Sequence, residues 1–205
     1  PPLFSNDVSR SLHPQSPAPR PSGPREPAPL GTFDVADQSL IGRPGNPPPS
    51  PLEFNLEIGG QEIVYSVEPR FRQVDRVQGE VSEPLVIAPP AFVELPRPVF
   101  VFGNSAPKTV NVRVIASAEQ VSGSVALEAP SGWKVEPAGC PVELQGAESE
   151  TTCIFKVTPP QERGEGTLRA MLTLGGTKQP AFSRQRIAYP HIAAQTLISP
   201  AQAKL

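Results

Sequence analysis

Histidine is nearly absent from this 205-residue chain: His13 and His191 are the only two. That scarcity removes most metal sites and most His-based acid–base or nucleophilic chemistry before any fold is considered. Basic excess is also missing. Lys plus Arg number 18 against 20 Asp plus Glu, a net charge of −2, so nothing here is built to neutralise phosphates and nucleic acid is excluded as a partner. Long apolar runs are missing too. The longest, Val99–Phe102, is far too short for a membrane span, so no transmembrane segment is expected. No charged start leads into an apolar stretch, so no signal peptide is visible, and the Pro1-Pro2 opening without Met reads as a truncated end. There is one Trp, and aromatics make up only 6% of the chain. No Gly-x-Ser-x-Gly elbow and no Gly-rich phosphate loop between strand and helix occurs. Catalytic residues, bound cofactors and metal ligands are therefore expected to be absent.

Proline, by contrast, is abundant at 29 residues, with 13 of them in the first 50. Residues 14–31 carry no apolar periodicity and cannot bury enough surface to offset the entropy of ordering. Residues 1–50 are read as a Pro-rich, mostly disordered arm, with Phe33, Val35 and Leu40 as a brief apolar return.

From Leu52 the pattern becomes period-2. Leu52, Phe54, Leu56 and Ile58 alternate with polar residues, Gly59-Gly60 follows, and Ile63, Tyr65 and Val67 alternate again: a hairpin. Further short strands are expected at 71–74 and 81–87. Residues 51–88 are then a partial β-unit, the end of an upstream sandwich. Ala88-Pro89-Pro90 marks a boundary. Beyond it, Val99–Phe102, Val110–Ala116, Val125–Leu127, Trp133–Val135, Val142–Leu144, Cys153–Val157, Leu168–Leu174 and Phe182–Ile187 make seven or eight short strands in about a hundred residues, separated by turn signals. The expected class is all-β, with an immunoglobulin-like β-sandwich over 89–190 and a linker over 191–205. Val142–Leu144 and Cys153–Val157 are expected to pair as a hairpin across QGAESE, and Phe182–Ile187 to return from Gly175-Gly176.

The stretch KTVNVRVIASAEQVSGSVALEAPSGWKVEPAG, then VELQGAESETTCIFKVTPP and GTLRAML, resembles the sandwich domain that accompanies secreted glycoside hydrolases of the α-galactosidase-associated type. Its marks are Pro130-Ser131-Gly132-Trp133 and Val157-Thr158-Pro159-Pro160. A narrower resemblance spans roughly 33–205. DQSLIGRPGNPPPSPLEFNLEIGGQEI, DRVQGEVSEPLVIAPP and YPHIAAQTLISPAQAKL are similar to the region after the catalytic domain in large bacterial PIG-L-type deacetylases, zinc-dependent relatives of N-acetylglucosamine deacetylases. The resemblance implies a non-catalytic accessory segment of an exported, periplasmic or extracellular protein, whose partner is the catalytic domain of the same parent chain. The family's zinc motifs, His-Pro-Asp-Asp and His-x-x-His, have no counterpart here. His13-Pro14-Gln15 lacks the carboxylates, and His191 stands alone.

Other readings remain open at this point: a carbohydrate-binding module, or a structural cell-envelope domain. Trp133 is the candidate glycan contact, because sugar faces are apolar and stack on exposed rings; packed against the interior, it would be a core residue instead. Cys140 and Cys153 share parity with inward-facing residues, and are either two buried thiols or a disulfide. Asp75, Glu148 and Glu150 lie near turns and read as solvated charges.

Overall fold

The computed structural model describes residues 51–77, 79–162, 164–189 and 192–205, together with Gln38. The Pro-rich arm, His13, His191 and the apolar return at 33–40 lie outside the described residues. Within them the chain is all-β: fifteen strands and no α-helix.

The strands fall into two kinds of assembly. Ahead of the sandwich stand two ribbons. β1 (Leu52–Ile58) pairs antiparallel with β2 (Gln61–Val67), Phe54 facing Tyr65 and Leu56 facing Ile63. Gly59 and Gly60 join them with φ of 63° and 79°. Positive φ at both central residues is the type I′ requirement, which glycine meets without steric cost. β3 (Arg70–Asp75) and β4 (Gly79–Pro84) form the second ribbon, and the Val77 amide donates to Asp75 Oδ1 at 2.8 Å in its turn.

The sandwich is two sheets around one core. The first runs β5 (Ala91–Glu94), β6 (Lys108–Ala116), β10 (Glu150–Thr158), β8 (Lys134–Glu136). The second runs β12 (Thr177–Pro180), β11 (Thr167–Leu174), β7 (Gln120–Glu128), β9 (Cys140–Gln145), with β15 (Gln202–Lys204) also on β11. Period-2 alternation turns one face of each sheet inward. Val110, Val112, Val114, Cys153, Phe155 and Val157 from the first sheet meet Val121, Val125, Val142, Leu144, Leu168 and Leu172 from the second, all buried. At about 1.5–3 kcal/mol for each large side chain, this is the main stabilising term of the chain. Opposite Leu174 on β11 only glycine fits in β7: a Cβ on Gly123 would lie 2.0 Å from the Thr173 carbonyl oxygen.

Four expectations change. Val99–Phe102 is not a strand: it makes a single isolated parallel bridge, Val99 to Lys204. β9 and β10 are not a hairpin: β9 pairs with β7, while β10 pairs with β6 and β8. The chain arches from one sheet to the other through residues 146–149, held by the Glu148 amide on the Ala116 carbonyl (2.9 Å) and the Gly146 amide on that of Glu119 (2.7 Å). Alternation is the same for strands side by side and strands facing across a core, so it could not separate the two. Nor does Phe182–Ile187 return along β11. That role falls to β12, which faces Met171–Leu174, while β13 (Phe182–Tyr189) pairs with β14 (Ile192–Pro200). Finally, 191–205 is not a linker. β14 completes that hairpin, and β15 returns to β11 with Leu168 opposite a buried Ala203.

The last two corrections have one cause. β12 and β15 are collinear along β11, interrupted only opposite Ala170. There the Ala181 amide donates to the Ala170 carbonyl, the Ala170 amide to that of Ala201, and the Ala201 amide to that of Ala181, each at 2.9 Å. The β13–β14 hairpin is thus an excursion from a single edge strand. It packs on β5 of the opposite sheet.

Candidate functional site

A cluster of charged groups forms where that hairpin meets the sandwich. Arg184 of β13 donates through Nη1 to Glu148 Oε1 at 2.8 Å and through Nη2 to Glu148 Oε2, a bidentate pair. Two residues on, and so on the same strand face, Arg186 pairs with Glu83 of β4. The Arg184 guanidinium also lies over the Phe92 ring, 5.4 Å from its centroid, within cation–π range. Arg184, Arg186, Glu148 and Phe92 wall an open cleft of about 510 Å³, completed by Val86, Ala88, Ser117 and Thr196.

The electrostatics are those of a clamp. The hydrogen bond from Arg184 holds the Glu148 carboxyl below its ordinary value, and Glu148 raises Arg184 in turn. On the neighbouring surface, the hydrogen bond with Glu94 raises Arg113, which also reaches Glu150 at 3.4 Å. The carboxylate of the cleft, Glu148, and its two arginines are all engaged in ion pairs, Arg184 with Glu148 and Arg186 with Glu83. The Ser117 hydroxyl is buried with no hydrogen-bond partner, and its oxygen is closed off from solvent. The cleft can fix a hairpin, and no activated nucleophile lines it. Among the described residues no three His, Cys, Asp or Glu side chains converge on a point where a metal could sit.

Cys140 and Cys153 form a disulfide with Cα atoms 6.0 Å apart. Because they lie on β9 and β10, the bond crosses the core and joins the two sheets. Trp133 is half-buried against the core, its ring meeting Phe102 edge-on at 4.9 Å, and Lys108 Nζ lies 5.2 Å from the Phe102 centroid. Asp75 caps the β3–β4 turn, while Glu148 and Glu150 are ion-paired rather than free. The structure brings none of these together with Trp133.

Sequence reasoning passed over Arg184, Arg186, Glu83 and Phe92. The Arg-x-Arg spacing on a strand was a visible sign of a charged face, but the partners lie 36 and 103 residues away. No family model matches the chain, and no curated protein matches it.

Proposed function

We propose that this chain is a non-catalytic accessory segment of a larger exported protein. The disulfide-tied sandwich acts as a rigid spacer, and the ribbons ahead of it dock a catalytic domain carried by the same parent chain. One observation carries the reading: among the described residues, nothing covers the apolar face of the first ribbon. Phe54, Leu56, Ile63 and Tyr65 stand on one side of β1–β2 at 44–60% exposure, and Phe71 and Val74 of the next ribbon are exposed as well. A two-stranded ribbon is marginal alone, and contiguous apolar surface of this kind marks a docking face.

The parent that fits is a PIG-L-type deacetylase, on the residues quoted above. The immunoglobulin-like class is supported by strand order. β5-β6-β10-β8 follows the A-B-E-D arrangement and β12-β11-β7 the G-F-C arrangement, with β8 entering earlier in the chain than a D strand would. Disulfide chemistry favours a periplasmic or extracellular setting. A glycan-binding role at Trp133 would need a free ring there, and the Trp133 ring meets Phe102 edge-on.

Reading the coding sequence upstream of Pro1 tests the parentage. A His-Pro-Asp-Asp and His-x-x-His zinc domain is expected, and a glycosidase or a chain with no catalytic domain would overturn it. Docking is tested by titrating the parent's isolated catalytic domain with this chain. Binding weakened by Phe54→Ser is expected; no binding would overturn the docking role.

A further inference from the structure

The edges of the sandwich are guarded, each by its own device. Pro141 sits within β9 and Pro180 ends β12, and proline brings no donor to a ladder. β15 is flanked by the 98–100 stretch, where the Phe100 amide donates to the Lys204 carbonyl and the Lys204 amide to that of Pro98, each at 2.8 Å. β5 is covered by β13, and β8 is three residues long. Among the described residues, β2 has none of these protections. Its sequence QEIVYSV contains no proline and no cation, and it is exposed from Gln61 through Ser66.

Its backbone phase is fixed by the loop. In an antiparallel ribbon, outward and inward backbone groups alternate along each strand. A two-residue loop closes on a hydrogen-bonded pair, here Ile58 and Gln61, so the amides and carbonyls of Glu62, Val64 and Ser66 point away from β1. Placed against a second copy about a twofold axis through Val64, β2 satisfies all of them. Glu62 faces Ser66 of the second copy, Val64 faces Val64, and no charge meets its like. Ile63 faces Tyr65 twice by symmetry, a β-branched and aromatic pairing that stabilises sheets. The same operation on β1 about Asn55 sets Glu53 against Glu57 and is disfavoured. A second observation agrees. Val64 is 66% exposed on the ribbon's polar face, where it shares a side with Glu62 and Ser66. The twofold gives that isolated apolar residue its partner.

We infer that β2 is a homodimerisation edge, through which two copies of this chain build a four-stranded antiparallel sheet in the order β1-β2-β2-β1. The contact is isologous and closes on itself, so it yields dimers rather than fibres. It rests on ribbon geometry alone and stands whatever the parent's chemistry.

The test is sedimentation of the full 205-residue chain from about 1 μM to about 1 mM, a range that covers weak symmetric contacts. The expected result is a concentration-dependent species of twice 21.8 kDa. Val64→Lys and Val64→Glu should each raise the dissociation constant by about fivefold, since each loses the Val64 pair and sets like charges opposite across the twofold. Mixing the two variants should restore association, which also shows that both are folded. Sedimentation at 21.8 kDa throughout the range would overturn the inference. So would a dimer indifferent to both substitutions, or a mixture that fails to associate where the unmodified chain does.

Discussion

Reducing the Cys140–Cys153 bond should cost this sandwich a large part of its stability, and the size follows from chain length. The bond spans a sequence separation of 13, a closed loop of about 14 residues, for which the chain-entropy model gives about 3 kcal/mol. For a sandwich of about a hundred residues, each kcal/mol moves the melting temperature by about 4–8 °C, so a fall of about 12–24 °C is expected. The position of the bond makes the measurement clean. Cys153 is 1% exposed in the core, and reduction leaves its volume almost unchanged, so no cavity contributes. Cys153→Ala removes the sulfur as well and should cost more, because surrounding side chains only partly close the gap. Trp133, the single Trp, packs on Phe102 inside the sandwich and reports its unfolding without interference. Urea titrations should show a larger m after reduction, since the denatured chain gains exposed surface when the loop opens. Oxidised and reduced proteins melting within about 3 °C of each other would refute the entropic account at this site.

Glu148→Gln should cost under about 1 kcal/mol at neutral pH, because the pair is largely exposed and screened. Since Arg184 depresses the folded-state pKa of Glu148, its contribution is present above the unfolded carboxylate range and is lost as pH falls through the folded value; urea titrations against pH should show the acid-side loss shrink in the variant. Gly123→Ala should destabilise by about 2–3 kcal/mol, because the added carbon lands on the Thr173 backbone and forces β7 from β11; a neutral effect in thermal melts would contradict that packing. Excising Ala181–Pro200, so that Pro180 runs into Ala201, should leave a folded sandwich with β12 and β15 as one strand on β11. Circular dichroism and amide exchange check this, and loss of protection in β11 would refute the collinear register.

What the sequence made legible was the face that the central sandwich strands turn to the core; the same alternation in β1 and β2 marks a face that is exposed, Phe54 at 45% and Tyr65 at 60%. Val110, Val112 and Val114 alternate as a half-buried strand must, and all three are fully buried. Gly59-Gly60 made even a partner legible, because a two-residue loop leaves the chain nowhere to go but back along itself. Longer connections carry no such constraint. The QGAESE stretch can turn back beside β9 or arch over to the facing sheet, and period-2 alternation satisfies both. The β13–β14 excursion was hidden for a related reason: its neck is Ala181 and Ala201, small residues without pattern, twenty positions apart. The charged cleft was beyond reach because its ion pairs join segments that only the finished topology brings together, Arg186 and Glu83 being 103 residues apart.

Two forces hold the excursion in place, and their magnitudes assign them different tasks. Phe92 and Ile115 pair across β5 and β6 on the outward face of their sheet, where alternation should expose them, yet they are 2% and 4% exposed. Ile198, opposite Arg184 in the hairpin and so on the face that meets Phe92, is 3% exposed. Each such side chain is worth about 1.5–3 kcal/mol when buried. A surface ion pair contributes at most about 1 kcal/mol. The apolar contacts therefore keep the hairpin down. They are not directional, however, and would tolerate a hairpin slid along β5. The bidentate fork between Arg184 and Glu148 is directional, and Glu148 sits on the arch that also carries the chain between the sheets. The ion pairs thus fix where the hairpin rests, and they tie that position to the same turn whose far ends are joined by the disulfide.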